Sequence, residues 1–278
     1  MKNGGTVLLS KETVLPFIDI CPEEALMRKR LVYLLAFLWS MSTLLYFVSH
    51  GVYRIVSHPY VYFDLQVQVG AAETAGISES TLEALDNALA SYLRGNTSAL
   101  VGDDGVIAAE VDGVEQPAFN DREMARLAEW QRMFWRLRRG ENVACIAKFA
   151  LGIPFILLYW RTPKAERPSK KRMKCSMALA FLLLAIPLGA FAAWAAMDFE
   201  GAFAFFRRAL FAGDLQLFNS QTGLLTRIFP ISVFAGIGAQ VGEEMLRQLP
   251  RYLLNAFVMI GLLDILNSGK KLSGGSGL

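Results

Sequence analysis

The side chains best suited to chemistry lie in the segment FNDREMARLAEWQRM, which covers Phe119–Met133. A carboxylate such as Glu123 or Glu129 can act as a general base when burial raises its pKa. Arg126 lies three residues from each of them, and a guanidinium group binds phosphate or carboxylate through paired hydrogen bonds. The same spacing allows ordinary ion pairs along a helix, so a solvated, salt-bridged helix face is the alternative interpretation.

The chain has two histidines, His50 and His58, both near the end of its first apolar segment. Histidine suits proton transfer because its pKa lies near neutral pH. Neither residue has a partner that can be recognised in the sequence, so the pattern favours interfacial residues with their polar tips in water. His58 is kept as a catalytic candidate beside Glu123 and Glu129.

Sequence signatures of metal and cofactor sites are absent from the chain. The cysteines Cys21, Cys145 and Cys175 are scattered without the spacing of metal ligands. There is no Gly-rich phosphate loop, no HExxH and no G-x-S-x-G. We therefore expect neither a metal nor an organic cofactor.

The composition is that of a membrane protein. Of the 278 residues, 54% are hydrophobic and only 19% are charged, with a mean hydropathy of +0.35. These values are too apolar for an ordinary soluble domain. The formal net charge of +3 is too small to indicate a nucleic-acid partner.

Four apolar segments approach the roughly 20 residues that a helix needs to cross a bilayer. They predict transmembrane spans at 31–53, 141–160, 175–197 and 249–266, the last of them the weakest. Proline within the second and third spans is compatible with this prediction, because membrane helices tolerate it.

Basic residues predict the orientation of these spans. They are concentrated in the N-terminal segment 1–30, in the loop 161–174 and in the tail 267–278. With four spans, all three lie on one side, so both termini are predicted to be cytoplasmic. The regions 54–140 and 198–248 are then extracytoplasmic.

Region 54–140 is predicted to form a small α+β cap. Residues 60–69 alternate between apolar and polar side chains, which is typical of a strand. The segment after Ser80 has a capping-box spacing and a stripe of leucines, so a helix ending near Gly95 is expected. A hairpin turn is predicted at Asp112 and Gly113, and the segment from Phe119 should form a second helix.

The second extracytoplasmic region contains ISVFAGIGAQVG, residues 231–242, which is too short to span a bilayer. It is predicted to be an interfacial or re-entrant piece. The predicted fold class is therefore an all-α transmembrane protein with four spans and a small α+β extracytoplasmic cap.

Two motifs in this layout resemble a known family. FNDRE (119–123) precedes the second span, and LF…LF…T…RIFP (210–230) precedes the fourth. Over about residues 30–266 the chain resembles the lipoprotein intramolecular transacylase (Lit) family, membrane proteins mostly of Gram-positive bacteria. The resemblance implies transfer, at the outer leaflet of the plasma membrane, of the sn-2 acyl chain of a diacylglyceryl-lipoprotein. The acceptor is the lipoprotein's own N-terminal Cys amine, a lyso-lipoprotein remains, and no cofactor is required.

Nine residues fit the family pattern, namely Phe119, Asn120, Glu123, Leu210, Phe211, Leu217, Phe218, Arg227 and Pro230. The family places a histidine three residues after the Glu and another just before the first LF pair. This chain has Arg126 and Arg208 there. Downstream the family favours Trp, Asp and a Thr-Asp pair, and of these this chain has only Thr222. Arginine stays protonated, so it cannot replace histidine as a general base.

Three hypotheses follow from this departure. The first is an acyltransferase whose base is Glu123, Glu129 or His58. The second is a noncatalytic relative that binds membrane lipid or diacylated lipoproteins, and its binding residues are then Asn120, Arg126, Arg208, Thr222 and Arg227. The third is a structural or assembly protein whose polar loop meets a partner subunit.

Overall fold

The fold is mainly helical, with two small antiparallel hairpins. The computed structural model describes residues 22–102, 105–163, 166–210 and 223–268. The helices are α1 (Pro22–Val56), α2 (Pro59–Gln68), α3 (Ala71–Ala75), α4 (Glu79–Leu93), α5 (Asp121–Arg161), α6 (Lys170–Met197), α7 (Phe199–Leu210), α8 (Leu224–Ile228) and α9 (Ile231–Ser268). The strands are β1 (Val101–Gly102), β2 (Gly105–Val106), β3 (Ala108–Val111) and β4 (Val114–Pro117).

Within the described residues, three helices are long and apolar enough to cross a membrane: Leu26–Val56 of α1, α5 and α6. The first three predicted spans lie inside them. The fourth predicted span, 249–266, falls in the second half of α9 and stays a prediction. The segment 231–242 is the first part of the same continuous helix, and its interfacial or re-entrant placement stays a prediction.

Helix α1 is the centre of the membrane-facing part, because α5, α6 and α9 all pack against it. Its contact with α5 is close: a Cβ at Gly152 would lie 2.9 Å from the Trp39 indole, so glycine lets the two helices approach. Its contact with α6 and α9 includes a polar tie, in which Ser40 Oγ lies 2.7 Å from Tyr252 Oη and donates to the Met177 carbonyl at 3.2 Å.

Residues 57–102 and 105–120, together with the start of α5 and with α8, form the cap, which has its own apolar core. The segment 60–69 lies there as helix α2, so the strand prediction is wrong. Pro59 fixes a helical φ in the first turn, and the buried residues Val61, Tyr62 and Gln66 follow helical spacing. Packing of this face against the cap core outweighs the alternation of the apolar residues.

The other predictions for the cap agree with the structure. The leucine stripe of α4 is buried, with Leu82 and Leu89 at 0% and 1% exposure. The helix begins two residues earlier than expected, at the N-cap Ser78, whose side chain accepts a hydrogen bond from the Thr81 amide. The predicted turn joins β3 to β4 with positive φ at both Asp112 (54°) and Gly113 (79°), as a tight hairpin requires.

One acidic residue of α4 faces the core instead of solvent. Asp86 is 1% exposed and lies near the buried side chains of Tyr62 and Gln66. Burial raises the pKa of the Asp86 carboxyl to about 7, and the neighbouring Gln66 side chain opposes this rise only in part. The folded state therefore favours a neutral Asp86, while an unfolded aspartate ionises near pH 4.

This difference gives the stability of the cap a pH dependence of known sign. The folded chain holds the Asp86 proton more tightly than the unfolded chain does, so protonation of Asp86 stabilises the folded state. This stabilisation is fully present below about pH 4 and is lost as the pH rises to about 7. We expect Asp86→Asn, which stays neutral at every pH, to raise the melting temperature in detergent at pH 8 by several degrees, and to change it little at pH 4. Glu83→Gln, at an exposed position on the same helix, is the control and should show no such dependence. An equal effect of Asp86→Asn at both pH values would contradict the prediction.

Candidate functional site

The segment FNDRE is built to start a helix. The Asn120 side chain accepts hydrogen bonds from the amides of Arg122 and Glu123, both at 3.0 Å. In return, Glu123 Oε2 accepts from the Asn120 amide at 3.0 Å, which completes a capping box. The motif therefore fixes the first residue of α5 and the direction in which this helix leaves the cap.

The second carboxylate oxygen of Glu123 reaches another helix. Glu123 Oε1 accepts from the Leu225 amide at 2.7 Å, in the first turn of α8. A Cβ at Gly223 would overlap this same oxygen, so the approach requires glycine. Glu123 is 1% exposed, and both of its oxygens accept from the backbone at helix starts, where a negative charge is favourable.

Arg126 lies one turn further along α5 and completes the contact with α8. It is 4% exposed, and its Nη1 donates to Thr226 Oγ1 at 3.3 Å. The bonds Glu123–Leu225 and Arg126–Thr226 define what we call the α5–α8 junction. A fixed cation at this junction attracts and orients anions or carbonyl oxygens, but it cannot accept a proton.

The remaining predicted site residues lie in different places. Arg227 of α8 lies 3.8 Å from the Asp112 carboxylate in the β3–β4 turn, so it ties α8 to the hairpin. Arg208 is exposed in the last turn of α7, and within the described residues it makes no hydrogen bond or ion pair. Thr222 lies outside the described residues.

Glu129 and His58 are also separate from the α5–α8 junction. Glu129 forms an ion pair with Arg132 on the outer face of α5, not with Arg126. His58 lies between α1 and α2, where its Nδ1 contacts the Arg54 carbonyl and lies 3.3 Å from Ser57 Oγ. The structure therefore brings Asn120, Glu123 and Arg126 together and leaves the other two proposed bases elsewhere.

One contact of catalytic type was not foreseen. His50 Nδ1 of α1 lies 2.8 Å from Glu141 Oε1 of α5, although the two residues are 91 positions apart in the chain. The Tyr46 ring stacks on the imidazole, with 5.7 Å between centroids and 20° between planes. The sequence feature that could have indicated this contact is Glu141, a lone carboxylate at the start of the second predicted span. In the described part of the chain, no group of three His, Cys, Asp or Glu side chains could hold a metal ion.

The buried carboxylate at the α5–α8 junction should be important for stability. Glu123→Ala removes the acceptor for two backbone donors, so we expect a loss of about 3 kcal/mol in the free energy of unfolding. Glu129→Ala removes a partly exposed ion pair on the same helix and should cost no more than about 0.5 kcal/mol. Denaturation in detergent micelles measures both. Equal losses for the two variants would show that the junction does not hold α8 in place.

Comparison with known proteins places this architecture. A protein-family model described as "Lipoprotein intramolecular transacylase Lit" matches residues 34–234. The chain is also similar in structure to the membrane integral Lit from Bacillus cereus, with a TM-score of 0.56 and 14% identity over 88% of this chain and 98% of that one. A variant of that protein in which arginine replaces a histidine gives a TM-score of 0.59, again at 14% identity, over 90% of this chain and 98% of that one.

No curated protein shows significant similarity in sequence. At 14% identity the solved structures establish the fold alone. The family model covers well over half of the chain and includes the α5–α8 junction residues Glu123, Arg126 and Thr226. The chain therefore belongs to the lipoprotein intramolecular transacylase (Lit) family of membrane proteins.

Proposed function

We propose that this chain acts on diacylated lipoproteins at the outer leaflet of a bacterial plasma membrane, where it moves the sn-2 acyl chain to the amine of the N-terminal Cys. The observation that carries the proposal is Glu123, which bonds the amides of Asn120 and Leu225 and so joins the family's two motifs. The reaction needs no cofactor and leaves a lyso-lipoprotein.

The proposed topology has four spans, with both termini in the cytoplasm and the cap outside. The 41 residues of α5 extend over about 61 Å, twice the roughly 30 Å thickness of the hydrocarbon core. Its first half contains almost all of its charged residues, and the stretch 142–160 in its second half is apolar apart from Lys148. The first half therefore stands above the bilayer and positions the α5–α8 junction toward the extracytoplasmic side.

Arg126 has the role of a binding group in this proposal. A fixed guanidinium group binds carbonyl and carboxylate oxygens of the lipoprotein through paired hydrogen bonds. It also orients the carbonyl groups of the lipoprotein before the reaction. The proton must be taken by a residue outside the α5–α8 junction, because Arg126 stays charged and both oxygens of Glu123 accept backbone hydrogen bonds.

The second candidate function is binding without transfer. The observation that favours it is Arg126. At this position the family resemblance implies histidine, and this chain has a buried arginine. A noncatalytic relative would hold diacylated lipoproteins or anionic lipid at the α5–α8 junction and leave their acyl chains in place.

The acylation state of lipoproteins separates these two functions. We would express the chain in a bacterial host whose lipoproteins are only diacylated and which has no Lit of its own. N-terminal lipopeptides are then analysed by mass spectrometry. The proposal expects N-acyl lyso forms, and the empty vector provides the control. Persistence of diacyl forms despite normal membrane levels of the protein would overturn the transfer function and leave the noncatalytic hypotheses.

Replacement of the Arg126 charge should reduce function without unfolding the chain. We expect Arg126→Gln to lower the rate of N-acylation by about 10- to 100-fold, the cost of one charged hydrogen bond to substrate. Arg126→Lys keeps the charge and should retain part of the activity. Arg132→Gln, at an exposed position two turns away, is the matched control.

Thr226→Val separates structure from binding, because it removes the hydroxyl partner of Arg126 but keeps the cation. Its activity should stay closer to that of the wild type than the activity of Arg126→Gln. Equal rates for Arg126→Gln and Arg132→Gln would remove Arg126 from the proposed site.

A further inference from the structure

The contact between His50 and Glu141 lies at a particular height along the helices. Glu141 lies at the start of the stretch 142–160, which is apolar apart from Lys148, and His50 is near the end of the first predicted span. Fifteen residues of helix separate Arg126 from Glu141, which is about 22 Å. In the proposed topology, the pair lies where the hydrocarbon core meets the headgroups, and this is the depth of the ester bonds of a membrane-anchored lipid.

We propose that His50 is the general base of acyl transfer in this chain and that Glu141 is its positioning residue. The inference rests on the proposed function and names a group that takes the proton. Ionisable residues are costly inside a bilayer, so a histidine–carboxylate pair held at a helix–helix contact there points to a functional site. The His50 side chain is 37% exposed and that of Glu141 15%, so a lipid-borne substrate can reach the imidazole.

The geometry leaves the correct nitrogen of His50 available. Its Nδ1 is bound to Glu141, and within the described residues its Nε2 makes no hydrogen bond. A carboxylate at Nδ1 holds the ring proton there, so Nε2 is the nitrogen that accepts a proton from substrate. The stacked Tyr46 ring limits the rotation of the imidazole.

The charged groups near Glu141 and His50 bind other partners, so they do not compete for the Glu141–His50 contact. Arg54, one turn from His50, lies 3.5 Å from Glu244 of α9. Arg138, one turn from Glu141, donates to Tyr53 Oη at 2.8 Å. Lys148 lies over the Tyr46 and Phe47 rings at 5.5 and 5.4 Å. Among the described residues, His50 is the ion-pair partner of Glu141.

The proposed step balances without any further reactant. The neutral amine of the N-terminal Cys attacks the carbonyl carbon of the sn-2 ester, so a C–N bond forms. His50 Nε2 takes a proton from the attacking nitrogen. The ester C–O bond then breaks, and the same proton passes from Nε2 to the leaving glycerol oxygen. The products are an amide and an alcohol, and His50 returns to its starting state.

The test compares single variants in the lipopeptide assay and with purified protein in detergent on a synthetic diacylated lipopeptide. We expect His50→Gln to lower the rate at least 100-fold, the usual contribution of a general base. Glu141→Gln should lower kcat about tenfold or more with little change in KM, and Glu141→Asp should restore part of the rate. Imidazole in the buffer should partly restore His50→Ala, a rescue that a merely structural role would not allow. Glu243→Gln, at an exposed carboxylate of α9, is the control.

The outcomes separate the inference from the proposed function. If the wild type forms N-acyl lipopeptides and His50→Gln does not, although its melting temperature is unchanged, the inference is supported. If the wild type is active and His50→Gln is equally active, the inference is overturned while the proposed function stands, and loss of activity in His58→Gln would then identify the rival base. If the wild type itself leaves only diacyl lipopeptides, both the proposed function and the inference fail.

Discussion

The Glu123 carboxylate stabilises the starts of two helices at once, and the arrangement of the cap depends on it. The first turn of any helix leaves amide donors without partners, and in a buried place each such donor is costly. Glu123 accepts from Asn120 at the start of α5 and from Leu225 at the start of α8. Because α5 continues into the membrane-facing part, this single side chain links the cap to the helices below it.

The distribution of charge along α5 then separates two kinds of chemistry. At the α5–α8 junction, Arg126 supplies a permanent positive charge next to Glu123, which suits recognition of an anionic or carbonyl group. Near the middle of the same helix, Glu141 holds an imidazole, a group that exchanges protons readily near neutral pH. One helix thus positions the proposed recognition group and the proposed proton-transfer pair relative to each other.

Local patterns in the sequence predicted the parts of the fold that local chemistry determines. The start of α5, the buried leucine face of α4 and the turn at Asp112 and Gly113 each depend on residues a few positions apart. The strand prediction for 60–69 failed because alternation alone cannot report the core against which the segment packs. In a short apolar run the sequence pattern is ambiguous between helix and strand, and tertiary packing decides which of them forms.

The site was predictable only where a motif specified it. Asn120, Glu123 and Arg126 lie within seven residues, so one helix start brings them together. The contact of Glu123 with Leu225 joins residues 102 positions apart, and that of His50 with Glu141 joins residues 91 apart. Such pairs depend on how whole helices pack, and a single sequence without aligned relatives contains no direct record of that packing.

The central position of α1 has a consequence for how the protein is made. α1 precedes both α5 and α6 in the chain, and both pack against it. In the proposed topology, each of these later helices therefore meets its principal partner already in the bilayer as it leaves the ribosome. Trp39, opposite Gly152, and Ser40, which donates to the Met177 carbonyl, are then in place as docking points before the helices that use them arrive. The order of the helices in the chain thus matches an order in which each new helix can pack against one that is already in place.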